Sequence, residues 1–172
     1  MKHVSILVPE CSVMQAIADP NYCFSAVNQF LVQSGNPAAF HLQLIGATRE
    51  VRLANGAFSV YPNAVFPEVE HTDLIIIPAV YGDMETAIAA NPELIEWVKG
   101  QFQKGAEVAS LCVGAFLLAE TGLLDGRKCS THWGFIGQFK SRFPKVEVLE
   151  GQIVTEERGL YSSGGANSYW NL

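Results

Sequence analysis

The chain has 172 residues, 49% hydrophobic and 16% charged, a balance that fits one compact domain able to bury a full core. Its formal net charge of −6 argues against a nucleic-acid grip within this segment, because such affinity rests on Lys and Arg contacts to phosphate. No apolar run approaches the roughly 20 residues that cross a bilayer, and the opening MKHVSILVPE has no cleavage-site pattern, so a cytoplasmic, membrane-free protein is expected.

In chain order, HVSILVP (3–9) is a continuous apolar run ended by proline, as in a strand buried on both faces. Residues 21–35 carry Phe24, Val27, Phe30 and Leu31 at helical spacing, with Gly35 as the stop. Residues 40–47 read as a second strand, and 49–62 alternate about Asn55-Gly56, the signal of a hairpin with a tight turn. DLIIIPAV (73–80) is another buried strand, followed by the glycine-bearing loop VYGD. A helix over 91–105 has Asn91 as its candidate cap, Pro92 in its first position and Gly105 at its end. Next come a strand at 106–111, a buried helix at 113–122, a short strand about 128–131 and a helix at 133–143. Short strands at 146–149, 152–155 and 159–161 follow, and a last helix starts near Asn167.

Strands alternating with helices predict an α/β sandwich around a mainly parallel sheet. Ligands of such sheets bind beyond the carboxyl ends of the strands. Glu10, the Ala79–Gly82 stretch, Cys112 and His132 all stand at such ends, so four separate pieces of sequence converge on one edge. Cys112 lies between Ser110 and Gly114, the small neighbours that a sharp strand-to-helix corner requires. A thiol at such a corner meets the amino end of a helix, which favours thiolate, with the Val113 and Gly114 N–H groups within reach of a bound group. His132 would complete a Cys/His pair, and Glu10 would donate to the sulfur if protonated. The plainer alternatives stay open: a buried packing cysteine, a histidine that begins a helix capped by Thr131, and a solvated carboxylate. The four cysteines have no CxxC spacing and the four histidines are dispersed, so neither a metal site, another cofactor nor a disulfide framework is expected.

The stretch CVGAFLLAETGLLDGRKCSTHW resembles the signature of the ThiJ/PfpI superfamily, the class I glutamine amidotransferase-like fold. More narrowly it is similar to the branch that forms the N-terminal part of AraC-type transcriptional regulators and that also includes isonitrile hydratases. The likeness is dense over 105–145 and continues through GLYSSGGANSYWNL; DPNYCFSAVNQFL resembles the first helix of the family. The resemblance implies a flavodoxin-like three-layer sandwich, a homodimer, and an elbow cysteine at Cys112. It places Glu10 where many members carry a glutamate bonded to that cysteine, and Ala79-Val80 where many carry a Gly-Gly pair.

The departures from the enzymes are specific. The aspartate of isonitrile hydratases falls on Gln15 or Ala16, and the residue after the cysteine is Val113 rather than threonine or histidine. The reading is therefore a small-molecule-sensing and dimerising domain over 1–172, with promoter DNA bound by a C-terminal helix-turn-helix part of a longer chain. The alternatives are an isonitrile hydratase-like enzyme with Cys112 as nucleophile, and a redox sensor that oxidises Cys112 to sulfenic acid.

Overall fold

The computed structural model describes residues 1–165. The chain runs β1 (Lys2–Leu7), α1 (Met14–Gln33), β2 (Phe40–Gly46), β3 (Val51–Leu53), β4 (Phe58–Val60), β5 (Ala64–Val65) and β6 (Leu74–Ile77). It continues through α2 (Met84–Ala89), α3 (Pro92–Gln103), β7 (Glu107–Leu111), α4 (Ala115–Glu120), β8 (Lys128–Cys129), α5 (Ile136–Arg142), β9 (Glu147–Val148), β10 (Val154–Glu157) and β11 (Leu160–Ser163). The expected last helix near Asn167 lies outside the described residues.

Seven strands form one sheet in the order β10-β11-β7-β6-β1-β2-β5, parallel throughout except for the β10–β11 pair. Strands buried on both faces explain the unbroken apolar runs, because each alternate residue feeds a different core. From β1 and β6, Val4, Ile6 and Ile76 pack on one face with Ile17 and Phe24 of α1 and with Val51, Leu53 and Val60 of the β3–β4 hairpin. Leu7, Ile75 and Ile77 point to the other face, against α2, α3, α4 and α5. Two helical layers thus sandwich a mainly parallel sheet, the flavodoxin-like α/β arrangement.

Three local expectations need correction. α1 begins at Met14, seven residues before the predicted start, and Pro20 sits inside it. Its first turn has no side-chain cap; instead the Val13 N–H donates to the Ala79 carbonyl at 2.8 Å, a tertiary anchor with no local signature. The hairpin does not close on two residues: Leu53 pairs with Phe58 and a 3-10 turn at Ala54–Gly56 bridges them, with Asn55 left-handed at φ +55. Asn91 holds the cap position of α3 without capping it, its amide being committed elsewhere. Pro92 and Gly105 act as read: the Gly105 and Ala106 N–H groups reach back to Phe102 and Gln101 across a φ of +102.

Candidate functional site

The sheet order puts β6 between β1 and β7, so the loops following these three strands are neighbours along the carboxyl edge. The first two are zipped together. Val13 N–H donates to Ala79 O and Tyr81 N–H to Cys11 O, with Ser12 opposite Val80. Cys11 adopts φ +64 to make this turn, and burial, then the adjacent Glu10 carboxylate, push its thiol up from the usual range. Ala79 and Val80 are buried, and the Ala79 carbonyl already accepts from Val13. Gly82 turns the chain at φ +88 into Asp83, which caps α2 by accepting from the Thr86 N–H and hydroxyl. The Tyr81 hydroxyl accepts from Ala54 N–H, which docks the hairpin over this loop.

Cys112 ends β7 at a corner with φ +57, a conformation that costs a side-chain-bearing residue about 1–2 kcal/mol. The surroundings hold it there. Gly114, two residues on, passes so close to β6 that a Cβ would stand 2.5 Å from Pro78 O and 2.9 Å from Ile77 O. Only glycine allows that approach. The corner is followed by a 3-10 turn at Cys112–Gly114 and then by six-residue α4, a shorter element than the helix over 113–122 that the sequence predicts. Cys112 and Val113 are both buried.

Both backbone polar groups of Cys112 are held by hydroxyls. Its N–H donates to Ser163 Oγ at 3.4 Å, and its carbonyl accepts from Thr131 Oγ1 at 3.2 Å. Thr131 therefore ties the β8 loop to the elbow and brings His132 to its neighbourhood. His132, not Thr131, caps the following 3-10 turn, with Nδ1 accepting from Gly134 N–H at 3.2 Å. That bond fixes the proton of the neutral ring on Nε2 and occupies the lone pair a general base would use. The imidazole stacks on Trp133 with centroids 5.4 Å apart, and Trp133 is 80% exposed.

Glu10 is exposed, and its backbone is clasped by Asn91, whose Oδ1 accepts the Glu10 N–H at 2.9 Å. It borders a cleft of about 220 Å³ lined by Ala47, Phe66, Asn91 and Glu93 among others, none of them from the elbow. A second cleft of about 210 Å³, lined by Thr131, Trp133, Ile136, Gln152, Ile153 and Gly164, opens beside His132. The residues read from the sequence thus line one edge of the sheet, with Glu10 at the start of α3 and His132 between Thr131 and Trp133, two residues of the second cleft.

What sequence reasoning missed is the set of hydroxyls beneath the elbow. Ser110, Ser130, Thr131, Thr155 and Ser162 are all buried. Ser130 N–H donates to Ser162 Oγ at 2.8 Å, and the Ser130 and Thr155 hydroxyls bond to each other. Their spacing, 25 and 32 residues apart, carries no local signal; only the run of Ser and Thr at strand ends hints at it. Among the described residues, no group of three or more His, Cys, Asp or Glu is placed to hold a metal ion. Among the described residues, no helix is long and apolar enough to cross a membrane.

Comparison with known proteins adds the lineage. The chain matches the DJ-1/PfpI family over residues 22–172. The HTH-type transcriptional regulator CdhR of Pseudomonas aeruginosa is 28% identical over 116 residues, which cover 67% of this chain but 34% of that regulator. The aligned part is thus about a third of the relative's length. In fold, a putative transcriptional regulator protein from Vibrio parahaemolyticus superposes with a TM-score of 0.83 at 23% identity, over 96% of this chain and 84% of that one. An AraC family transcriptional regulator from Pseudomonas putida superposes with a TM-score of 0.74 at 17% identity, over 100% of this chain and 88% of that one.

Proposed function

This chain belongs to the DJ-1/PfpI family, and on that premise we propose that it is the effector-sensing and dimerising domain of an AraC-type transcriptional regulator. DNA binding would fall to a helix-turn-helix part of a longer chain. The observation that carries this reading is the alignment with CdhR, an HTH-type transcriptional regulator of which this chain matches about a third. The net charge of −6 supports the division of labour, since an acidic domain repels phosphate and leaves the DNA to a separate part.

The site supports sensing over catalysis. A buried Cys112 stands at a strained corner, yet the one nearby imidazole holds the Gly134 N–H on the lone pair that deprotonation of a thiol would need. Ala79-Val80 add side chains where an open oxyanion loop would be bare, and both are buried. A small molecule would bind at the carboxyl edge among Glu10, Ala79, Val80, Gly82, Cys112, Val113 and His132, shifting the domain pairing by its preference for one state. The pairing surface is assigned to α1. This 20-residue helix carries a single charge, Asp19, and exposes Tyr22, Val27, Phe30 and Val32. A charge-poor face of this kind suits a second copy of itself, as a two-fold contact requires.

A second reading rests on the elbow itself: φ +57 at a cysteine is the geometry of a presented nucleophile. In that reading a reaction followed with substrate would stop in Cys112→Ala while the fold persists. Fluorescence anisotropy with a labelled promoter fragment tests the regulator reading. The protein extended through its helix-turn-helix part should bind and residues 1–172 alone should not; failure of the extended protein to bind any promoter DNA would sink the proposal.

A further inference from the structure

Ser163 joins the elbow to the segment by which the chain leaves the sheet. Its single hydroxyl accepts the Cys112 N–H at 3.4 Å and donates to the Gly165 carbonyl at 3.3 Å. One hydroxyl can do both, since its proton and its lone pairs are separate resources, and each bond polarises the other. β11 runs parallel to β7 with Ser163 beside Leu111, so the two strands arrive at the same edge together. Beyond it, Gly164 N–H donates to Ile153 O at 2.9 Å, and a Cβ on Gly164 would stand 3.0 Å from Gln152 O. The opposite pole of Cys112, its carbonyl, is held by the Thr131 hydroxyl at 3.2 Å.

We propose that Ser163 is a positioning residue that couples the conformation of the Cys112 elbow to the path of the chain after β11, through a relay from Cys112 N–H to Gly165 carbonyl. The relay rests on the sensing reading for its purpose, because an elbow moved by a ligand would then release or retain the exit toward the next part of the protein. Its existence is independent of that purpose. A residue held at φ +57 returns toward negative φ when its clamps go, and that swing turns the N–H away from Ser163. Movement at either end therefore weakens the same hydroxyl's hold on the other, a reciprocal coupling.

Two readouts on residues 1–172 test this: the rate of iodoacetamide addition at Cys112, resolved from the other cysteines by peptide mass spectrometry, and hydrogen exchange of the peptides containing Val113–Gly114 and Gly164–Gly165. Ser163→Ala should speed alkylation of Cys112 by about fivefold, the size of one net hydrogen bond, and raise exchange in both peptides together. Ser163→Thr retains the hydroxyl and should restore both. Thr131→Val loosens the elbow from its carbonyl side with Ser163 intact, so Cys112 should react faster and exchange at Gly164–Gly165 should rise with it. The relay is refuted if Ser163→Ala moves one peptide without the other, if Ser163→Thr behaves like Ser163→Ala, or if Thr131→Val speeds alkylation of Cys112 while Gly164–Gly165 keeps wild-type exchange. Should Ser163→Ala fail to fold, the other two variants decide it against wild type: Ser163→Thr should match wild type at both peptides and Thr131→Val should raise exchange at both, and either result failing refutes the relay. A working relay in a protein whose extended form ignores promoter DNA would overturn the regulator reading and leave the coupling standing.

Discussion

Replacing Gly114 by alanine probes the close approach that makes the elbow. The added Cβ would fall 2.5 Å from Pro78 O, 2.9 Å from Ile77 O and 3.1 Å from Pro78 C, all backbone atoms of the central sheet. None is the tip of a side chain that can swing aside, so β6 and the corner must separate by about an ångström. Overpacking of a buried site costs about 1–3 kcal/mol, and contact with backbone places this case at the upper end. For a chain of this length, about 3 kcal/mol lowers Tm by roughly 6–12 °C. Urea unfolding followed by circular dichroism measures the loss as a drop in midpoint with unchanged slope. Gly100→Ala is the matched control: it lies inside α3 with nothing within 4 Å of an added Cβ, so it should gain about 0.5–1 kcal/mol. Equal stability of Gly114→Ala and wild type would show that the corner is not held by its contact with β6.

Other consequences are measurable on the same protein. Burial pushes the Cys129 thiol up to about 11, with a hydrogen bond to Ser162 opposing the shift. The unfolded thiol gives up its proton near pH 9 and the folded one only near 11. The stability is therefore intact below about pH 9 and falls by about 1.4 kcal/mol per pH unit from there to about 11; Cys129→Ala should flatten that part of the urea-midpoint profile. Thr155→Val strands the buried Ser130 hydroxyl and should cost about 1–3 kcal/mol, whereas the double variant Ser130→Ala/Thr155→Val should recover much of it in a thermodynamic cycle. Phe30→Glu places a charge on the apolar face of α1 without touching the core, since Phe30 is 69% exposed. It should give a folded monomer in light scattering, with a native circular dichroism spectrum and a Tm that no longer depends on protein concentration; an unchanged dimer would move the pairing surface elsewhere.

The main strands were legible because burial on both faces leaves a run of Val, Ile and Leu that nothing else explains, as in Ile75, Ile76 and Ile77. The corner at Cys112 was legible for a related reason: a chain that turns hard against a neighbouring strand needs glycine, and Gly114 declares it. The start of α1 was hidden because Asp19-Pro20 looks like a boundary, while the true start is fixed by Val13 bonding to Ala79, 66 residues away. α2 was missed although Asp83 and Thr86 have capping spacing, since the preceding glycine made the segment look like a loop. The same holds for the site. Which residues reach the carboxyl edge follows from strand ends, but what holds them does not. The hydroxyls of Thr131 and Ser163 meet Cys112 from 19 and 51 residues away, and the Nδ1 of His132 turns to Gly134 instead of the thiol. Such pairings depend on the packing of whole elements, and residue types alone do not encode them.

The central claim is that the elbow edge of this domain governs a DNA-binding part joined to it. Its most direct test is the promoter affinity of the extended protein, by anisotropy at fixed salt, with Ser163 intact and replaced by alanine. The account predicts a change in Kd of about fivefold or more, as one hydrogen bond of coupling would give, restored by Ser163→Thr. Identical affinities for all three proteins, with the elbow shown to be loosened in Ser163→Ala, would contradict it.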